Sequence, residues 1–161
     1  MMARMKPYSD FKLLRITGST AIILNGNRVL LVKRVRLPLL WNAGAWTFVA
    51  GKKEKGENHE QTAYREVLEE TGLRKSDLVL LRRCGKAVKF VAKNRIRYVD
   101  KLFIFRSKTR KVKLNFEHTA YRWASLSDIK NQREYTNLFV DKKSIERAIR
   151  SAMHVKKLAK R

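Results

Sequence analysis

Glu66, Glu69 and Glu70 recur at i, i+3 and i+4, so a helix running through them carries all three carboxylates on one face. Like charges at that spacing repel, and an isolated helix is weakened by them. A hard divalent cation prefers oxygen ligands and would turn the repulsion into coordination. Arg65 precedes Glu69 by four residues and can hold that carboxylate by a charge-assisted hydrogen bond. Upstream runs a loop with two glycines, from Gly51 through Gly56 to Glu57, and downstream the segment closes on Gly72-Leu73. A solvated acidic face is the usual meaning of a charge run. It leaves the two loop glycines, the arginine and the closing Gly-Leu unexplained.

Gly51, Glu57, Arg65, Glu66, Val67, Glu69, Glu70, Gly72 and Leu73 together fill every specified position of the pattern G-x5-E-x7-R-E-U-x-E-E-x-G-U, where U is aliphatic. On these residues the chain resembles the Nudix hydrolases. The resemblance implies an α/β fold, a mixed β-sheet sandwiched between α-helices in an α/β/α arrangement, over about residues 16–153 of one domain, 1–161. It also implies hydrolysis of the pyrophosphate bond of a nucleoside diphosphate linked to another moiety, with Mg²⁺ or Mn²⁺. Glu66, Glu69 and Glu70 are then the expected metal-ligand set, and Glu57 supports the metals or their water shell. Gly51 lends a backbone carbonyl, and Arg65 orients a glutamate. The chemistry needs such help because a pyrophosphate is anionic and repels a hydroxide. Metal ions neutralise its oxygens and lower the pKa of the attacking water, leaving positioning and electrostatics to the protein.

Glu117 lies six residues before Trp123. Many Nudix proteins carry a glutamate in a loop before a tryptophan-bearing strand, and in some it binds metal or acts as general base. An ordinary loop glutamate is the equal alternative. His118 is a weaker base candidate, since a lone histidine is more often structural or solvent-facing, and His59 reads as exposed.

Substrate markers lie outside the pattern. Val49-Ala50-Gly51 stands where most members have Pro-Gly-Gly, and its Ala-Gly is similar to the ADP-ribose pyrophosphatase group. That group tends to carry a proline some way after the box, and this chain has only Pro7 and Pro38. Dinucleoside polyphosphate hydrolases tend to have a tyrosine in the same region, where the nearest aromatic is Phe90 and Tyr98 lies further on. Elimination leaves a MutT-like reading, with a nucleoside triphosphate or related nucleotide as substrate.

The chain holds 38 basic and 14 acidic residues, a net charge of +24. The excess is uneven: residues 51–72 hold six glutamates against four basic residues, whereas 82–113 hold thirteen basic residues against Asp100 alone. A positive field of this size draws phosphate-rich molecules. RNA or another polyanion is therefore one reading, including a nucleic-acid-binding Nudix protein acting on RNA 5′ ends. A merely solvated basic surface is the other. Cys84 is the only cysteine, so no intrachain disulfide forms. With no run of eighteen apolar residues and no apolar leader, the expectation is a cytoplasmic protein outside the membrane. A homodimer is open.

Elements to position these residues can be read from period and punctuation. Ile16–Leu24 and Arg28–Lys33 read as strands about an Asn25-Gly26 turn. Residues 37–45 read as a loop and Trp46–Val49 as one short strand. Asn58 with Gln61 makes a capping-box start and Gly72 a left-handed stop for the box helix. Ala63 with Val67, and Tyr64 with Leu68, give it apolar pairs for a sheet. Leu78–Phe90 and Ile96–Arg106 read as strands about a basic turn at Lys93-Asn94, and Tyr121–Trp123 as a third. A turn or short helix follows from Ser125. The last helix starts at Asp141, with a Val140–Ile145 staple, and the basic tail 156–161 frays.

Overall fold

The long strands of this chain are apolar on both faces because each side of the sheet is covered by helix, the situation that produces near-continuous hydrophobic runs. The computed structural model describes residues 14–37, 43–91, 96–131 and 142–154. Its elements in chain order are β1 (Leu14–Asn25), β2 (Arg28–Arg34), β3 (Trp46–Thr47), β4 (Val49–Lys52), α1 (His59–Thr71), β5 (Leu78–Val91), β6 (Ile96–Ser107), β7 (His118–Ala124), α2 (Leu126–Asn131) and α3 (Lys142–His154). β1 runs parallel to β6 from Leu14↔Ile96 to Leu24↔Arg106, and every other pairing is antiparallel, so the sheet is mixed.

Successive side chains point to opposite faces, and the core divides accordingly. Ala21, Ile23, Leu30, Val32, Phe103 and Phe105 meet Ala63 and Val67 of α1, together with Leu73. Ile22, Leu24, Val29, Leu31, Leu102 and Ile104 meet Ile129 of α2 and Ile149 and Ala152 of α3. A helix therefore covers each face, as the α/β/α expectation required. Val67 is fully buried, a burial that contributes roughly 1.5–3 kcal/mol. Among the described residues no helix is long and apolar enough to cross a membrane.

Several local expectations change in the structure. The hairpin turn is Gly26-Asn27, one residue later than expected, because Asn25 still pairs with Arg28, and Gly26 takes the positive φ of 61°. Trp46–Val49 is not one strand. β3 pairs with β2 and β4 with β1, and the chain changes partner at buried Phe48. Past their shared end β1 and β2 diverge, so no single strand could serve both. β7 begins three residues earlier than the apolar pattern suggests, since Lys33↔Ala120 and Arg34↔His118 extend its pairing with β2. The Tyr64–Leu68 pair separates: Tyr64 packs on Phe105 at 4.9 Å between ring centroids, while Leu68 is half exposed. The Lys93-Asn94 turn, Val140 and Asp141, and the tail 156–161 lie outside the described residues.

Candidate active site

The box helix begins and ends as its punctuation demands. Asn58 Oδ1 accepts from the Gln61 N–H at 2.9 Å while Gln61 Oε1 accepts from the Asn58 N–H at 2.8 Å, a full capping box. Gly72 closes the helix at φ 69°, its N–H donating to the Leu68 carbonyl. Between these caps Ala63 and Val67 seat the helix on the sheet, which turns Arg65, Glu66 and Glu70 toward β4.

Arg65 is the hub. Its Nε donates to Glu57 Oε1 at 2.7 Å and one terminal nitrogen donates to Glu57 Oε2 at 3.2 Å and to the Lys52 carbonyl at 2.9 Å. The other terminal nitrogen donates to Glu66 Oε1 at 2.7 Å and to Glu69 Oε2 at 3.1 Å. The expected Arg65–Glu69 contact is thus present, but Glu57 and Glu66 hold the guanidinium more closely. Glu57 also accepts from the Thr62 hydroxyl and the Glu54 N–H. With Arg65 as the main cause, its pKa falls to about 2. Lysine at position 65 has one point charge and no planar fork, so it cannot hold three carboxylates and a carbonyl. Arg65→Lys should lower catalytic turnover by about 10–100-fold, the usual cost of losing a group that orients a ligand. An unchanged kcat would remove Arg65 from the machinery.

Glu66 lies against β4 so closely that a Cβ on Gly51 would overlap its carboxylate. Only glycine permits this approach. Burial raises the Glu66 pKa, with Arg65 pulling it back down. Glu70 is 5% exposed, and its Oε2 has no hydrogen-bond partner. Burial raises the Glu70 pKa well above the usual range, and the charges of Glu66 and then Glu117 add to the effect, while Arg34 opposes it. A buried carboxylate oxygen without a partner is costly unless something cationic meets it.

β7 and the turn before it supply the other wall. Glu117 Oε2 stands 3.8 Å from a terminal nitrogen of Arg34. His118, of the structural and solvent-facing alternatives, takes the buried one: it is 8% exposed with Nε2 3.7 Å from Glu70 Oε2. Burial first, and the Arg34 charge second, push the His118 pKa down to about 4. The imidazole is therefore neutral at pH 7 and this contact is not an ion pair. The Asn115 amide oxygen accepts from His118 Nδ1 at 3.2 Å, which leaves Nε2 with the lone pair. His59 is not simply exposed either: its Nδ1 lies 2.8 Å from the Gly18 carbonyl and 3.3 Å from the Ser19 hydroxyl, tying the start of α1 to β1.

The expected site residues Gly51, Glu57, Arg65, Glu66, Glu69 and Glu70 come together around β4 and α1, and Glu117 approaches them from the turn before β7. Arg34 was not anticipated. It is one of 38 basic residues, and only the pairing of β2 with β7, which sets Arg34 opposite His118, brings it near Glu117. Its Nε is buried and unpartnered.

Among the described residues no group of three His, Cys, Asp or Glu side chains that could hold a metal ion is found; the Arg65 guanidinium lies among Glu57, Glu66 and Glu69. The donor set nonetheless fits a hard divalent ion. Glu70 Oε2 lacks a partner, Glu66 and Glu117 press on it electrostatically, and all the donors are oxygen.

The NUDIX domain profile matches residues 14–147. The asymmetrical bis(5′-nucleosyl)-tetraphosphatase of Rattus norvegicus is 34% identical over 84 residues, 52% of this chain and 57% of that protein. Subunit 2 of the mRNA-decapping enzyme of Arabidopsis thaliana is 41% identical over 76 residues, 46% of this chain and 18% of that protein. The chain thus spans little more than half of the first and a minor part of the second. The crystal structure of the MutT protein from Methanosarcina mazei Go1 superposes with a TM-score of 0.68 over 92% of this chain and 99% of that one, at 23% identity. Since the profile runs from β1 into α3 and takes in the whole box, the chain belongs to the NUDIX domain family.

Proposed function

We propose that this chain hydrolyses a phosphoanhydride bond in a nucleotide, a nucleoside diphosphate linked to another moiety, with Mg²⁺ or Mn²⁺ bound. The observation that carries the reading is the partnerless, buried Glu70 Oε2 beside Glu66, with Glu117 raising the charge and Arg65 fixing the remaining carboxylates. Glu66, Glu69 and Glu70 are the side chains that would hold the ion, with Glu57 and the Gly51 carbonyl in support. The ion when bound would neutralise phosphate oxygens and acidify the attacking water.

This chain's residues do the rest. Glu117 accepts the proton of the attacking water as its oxygen bonds to phosphorus. The bridging P–O bond breaks, and the leaving phosphate departs with the electron pair. Arg34, 3.8 Å from Glu117 and opposing the charge of Glu70, offsets the negative charge that develops at the site. Arg65 keeps Glu57, Glu66 and Glu69 in register. Glu117→Gln should then lower kcat by about 100-fold or more with little change in KM, as for loss of a general base. Equal kcat in the two proteins would return Glu117 to the role of a loop residue.

The deciding experiment is a hydrolysis screen with Mg²⁺ or Mn²⁺ over nucleoside triphosphates, nucleotide sugars, dinucleoside polyphosphates and capped RNA. Cleavage of the anhydride in any of them into its two phosphorylated products supports the reading; for a nucleoside triphosphate one of these is phosphate or pyrophosphate. Absence of anhydride cleavage across all four classes overturns it. The tetraphosphatase similarity favours a small nucleotide. The similarity to the decapping subunit, together with a charge of +24, favours the second reading, action on RNA 5′ ends.

A further inference from the structure

Next to the first turn of α1, the sheet surface carries basic residues in cross-strand register. Arg15 on β1 is the Cα partner of Arg97 on β6, and Lys101 on β6 is the partner of Lys86 on β5. Like charges placed directly opposite destabilise a strand pair, and here it happens twice on one face. All four residues are exposed, and none has an ion pair among the described residues. Arg83 extends the row; its Nε donates to Glu60 at 2.7 Å.

The arrangement depends on an irregularity in β5. Arg83 and Lys86 are three residues apart and would point to opposite faces of a regular strand. The register shift between them sets Arg83 opposite Phe103 and Lys86 opposite Lys101, an extra residue that returns both to the same face. Both then line a cavity of about 430 Å³ with Lys101 and His59. Bulges commonly re-aim side chains beside a site.

We propose that Arg15, Arg97, Lys101, Lys86 and Arg83 form a track for the phosphodiester backbone of a single-stranded nucleic acid. The two like-charge rows sit four residues apart along β6, about 13 Å at strand rise. One phosphate group cannot satisfy both rows, whereas successive phosphates of a chain can. At Arg83, Lys86 and Lys101 the track borders the first turn of α1 at His59 and Glu60, neither of which is among the carboxylates of the hydrolytic site, and its binding does not need the hydrolytic reading to hold.

The test is fluorescence anisotropy with a labelled oligouridylate of about twelve nucleotides lacking 5′ phosphates, a length within the usual span of single-strand sites. Each lost contact with a single strand removes about 0.7 from the slope of log K against log salt. Lys86→Gln with Lys101→Gln should therefore reduce the slope by about 1.4 and weaken binding by roughly 10–30-fold at 0.1 M salt. Lys111→Gln with Lys113→Gln changes net charge equally at exposed sites off the track and should shift affinity far less. Thermal melting of both variants separates misfolding from lost contacts, and Arg15→Gln with Arg97→Gln tests the second row independently. Equal weakening by the on-track and off-track pairs would show only a diffuse field and overturn the proposal. So would tight binding of anionic phospholipid vesicles, dependent on the same lysines, without oligouridylate binding. Glu70→Gln should leave the anisotropy titration unchanged, so failure of the hydrolytic reading and failure of this one are distinct.

Discussion

Glu70→Gln should abolish metal-dependent hydrolysis, by about 1,000-fold or roughly 4 kcal/mol of transition-state stabilisation, while making the metal-free protein more stable at neutral pH. Both effects follow from one atom. Glu70 Oε2 is buried without a partner, so its charge serves an ion when one is bound and costs stability when none is. The sign follows from the direction of the pKa shift. Burial and the Glu66 charge raise the folded-state pKa well above the ordinary 4.5. Such a group contributes stability that is fully present below the unfolded pKa and lost as pH rises through the folded one. In chelator, then, the wild-type protein should lose stability from about pH 4.5 upward relative to the Gln variant, and Mg²⁺ or Mn²⁺ should restore it. Glu57 titrates in the opposite sense, its pKa being lowered to about 2, and its contribution cancels because both proteins retain it. Parallel melting curves for the two proteins from pH 4 to 8 would falsify the assignment of Glu70 as the strained buried carboxylate.

Gly51→Ala should lower activity by about 100-fold, the scale expected when a catalytic group is displaced by an ångström or so, although alanine adds one carbon. The β-carbon would overlap the Glu66 carboxylate, and Glu66 is pinned by Arg65 at 2.7 Å. Moving Glu66 therefore disturbs the same guanidinium that holds Glu57 and Glu69. The strain should also lower Tm. Paired measurements of kcat and metal affinity identify the cause: both should fall together. If Tm falls while kcat and metal affinity stay at wild-type values, the close approach serves folding alone. Gly56, by comparison, has open space around it and a φ of 86°, so Gly56→Ala tests backbone conformation instead of contact.

Much of this site was legible in the chain itself because local rules govern it. Helix period puts Glu66, Glu69 and Glu70 on one side, the capping box and Gly72 bound the helix, and Arg65 reaches Glu69 across one turn. Ala63 and Val67 declare the buried face. The strands β1, β2, β5 and β6 were readable to within two residues, because apolar runs bounded by turn residues carry their own signal.

What tertiary structure alone decided concerns partners distant in sequence. The Trp46–Lys52 segment splits between two strands because β1 and β2 diverge, a fact of sheet geometry with no local signature. His118 meets Glu70, and Glu117 meets Arg34, because β7 pairs with β2 through an irregular register. The His118 pKa falls to about 4 because folding buries it, with the Arg34 charge adding to the effect. The basic row on β1, β6 and β5 likewise depends on a parallel register and on a bulge that brings Arg83 and Lys86 to one face. The sequence by itself determined the family pattern, the helix and its carboxylates, since spacing of a few residues is enough to specify them. Burial, long-range pairing and bulges settled which of those charges are strained and what faces them, because electrostatic environment is a property of the packed sheet and not of any segment within it.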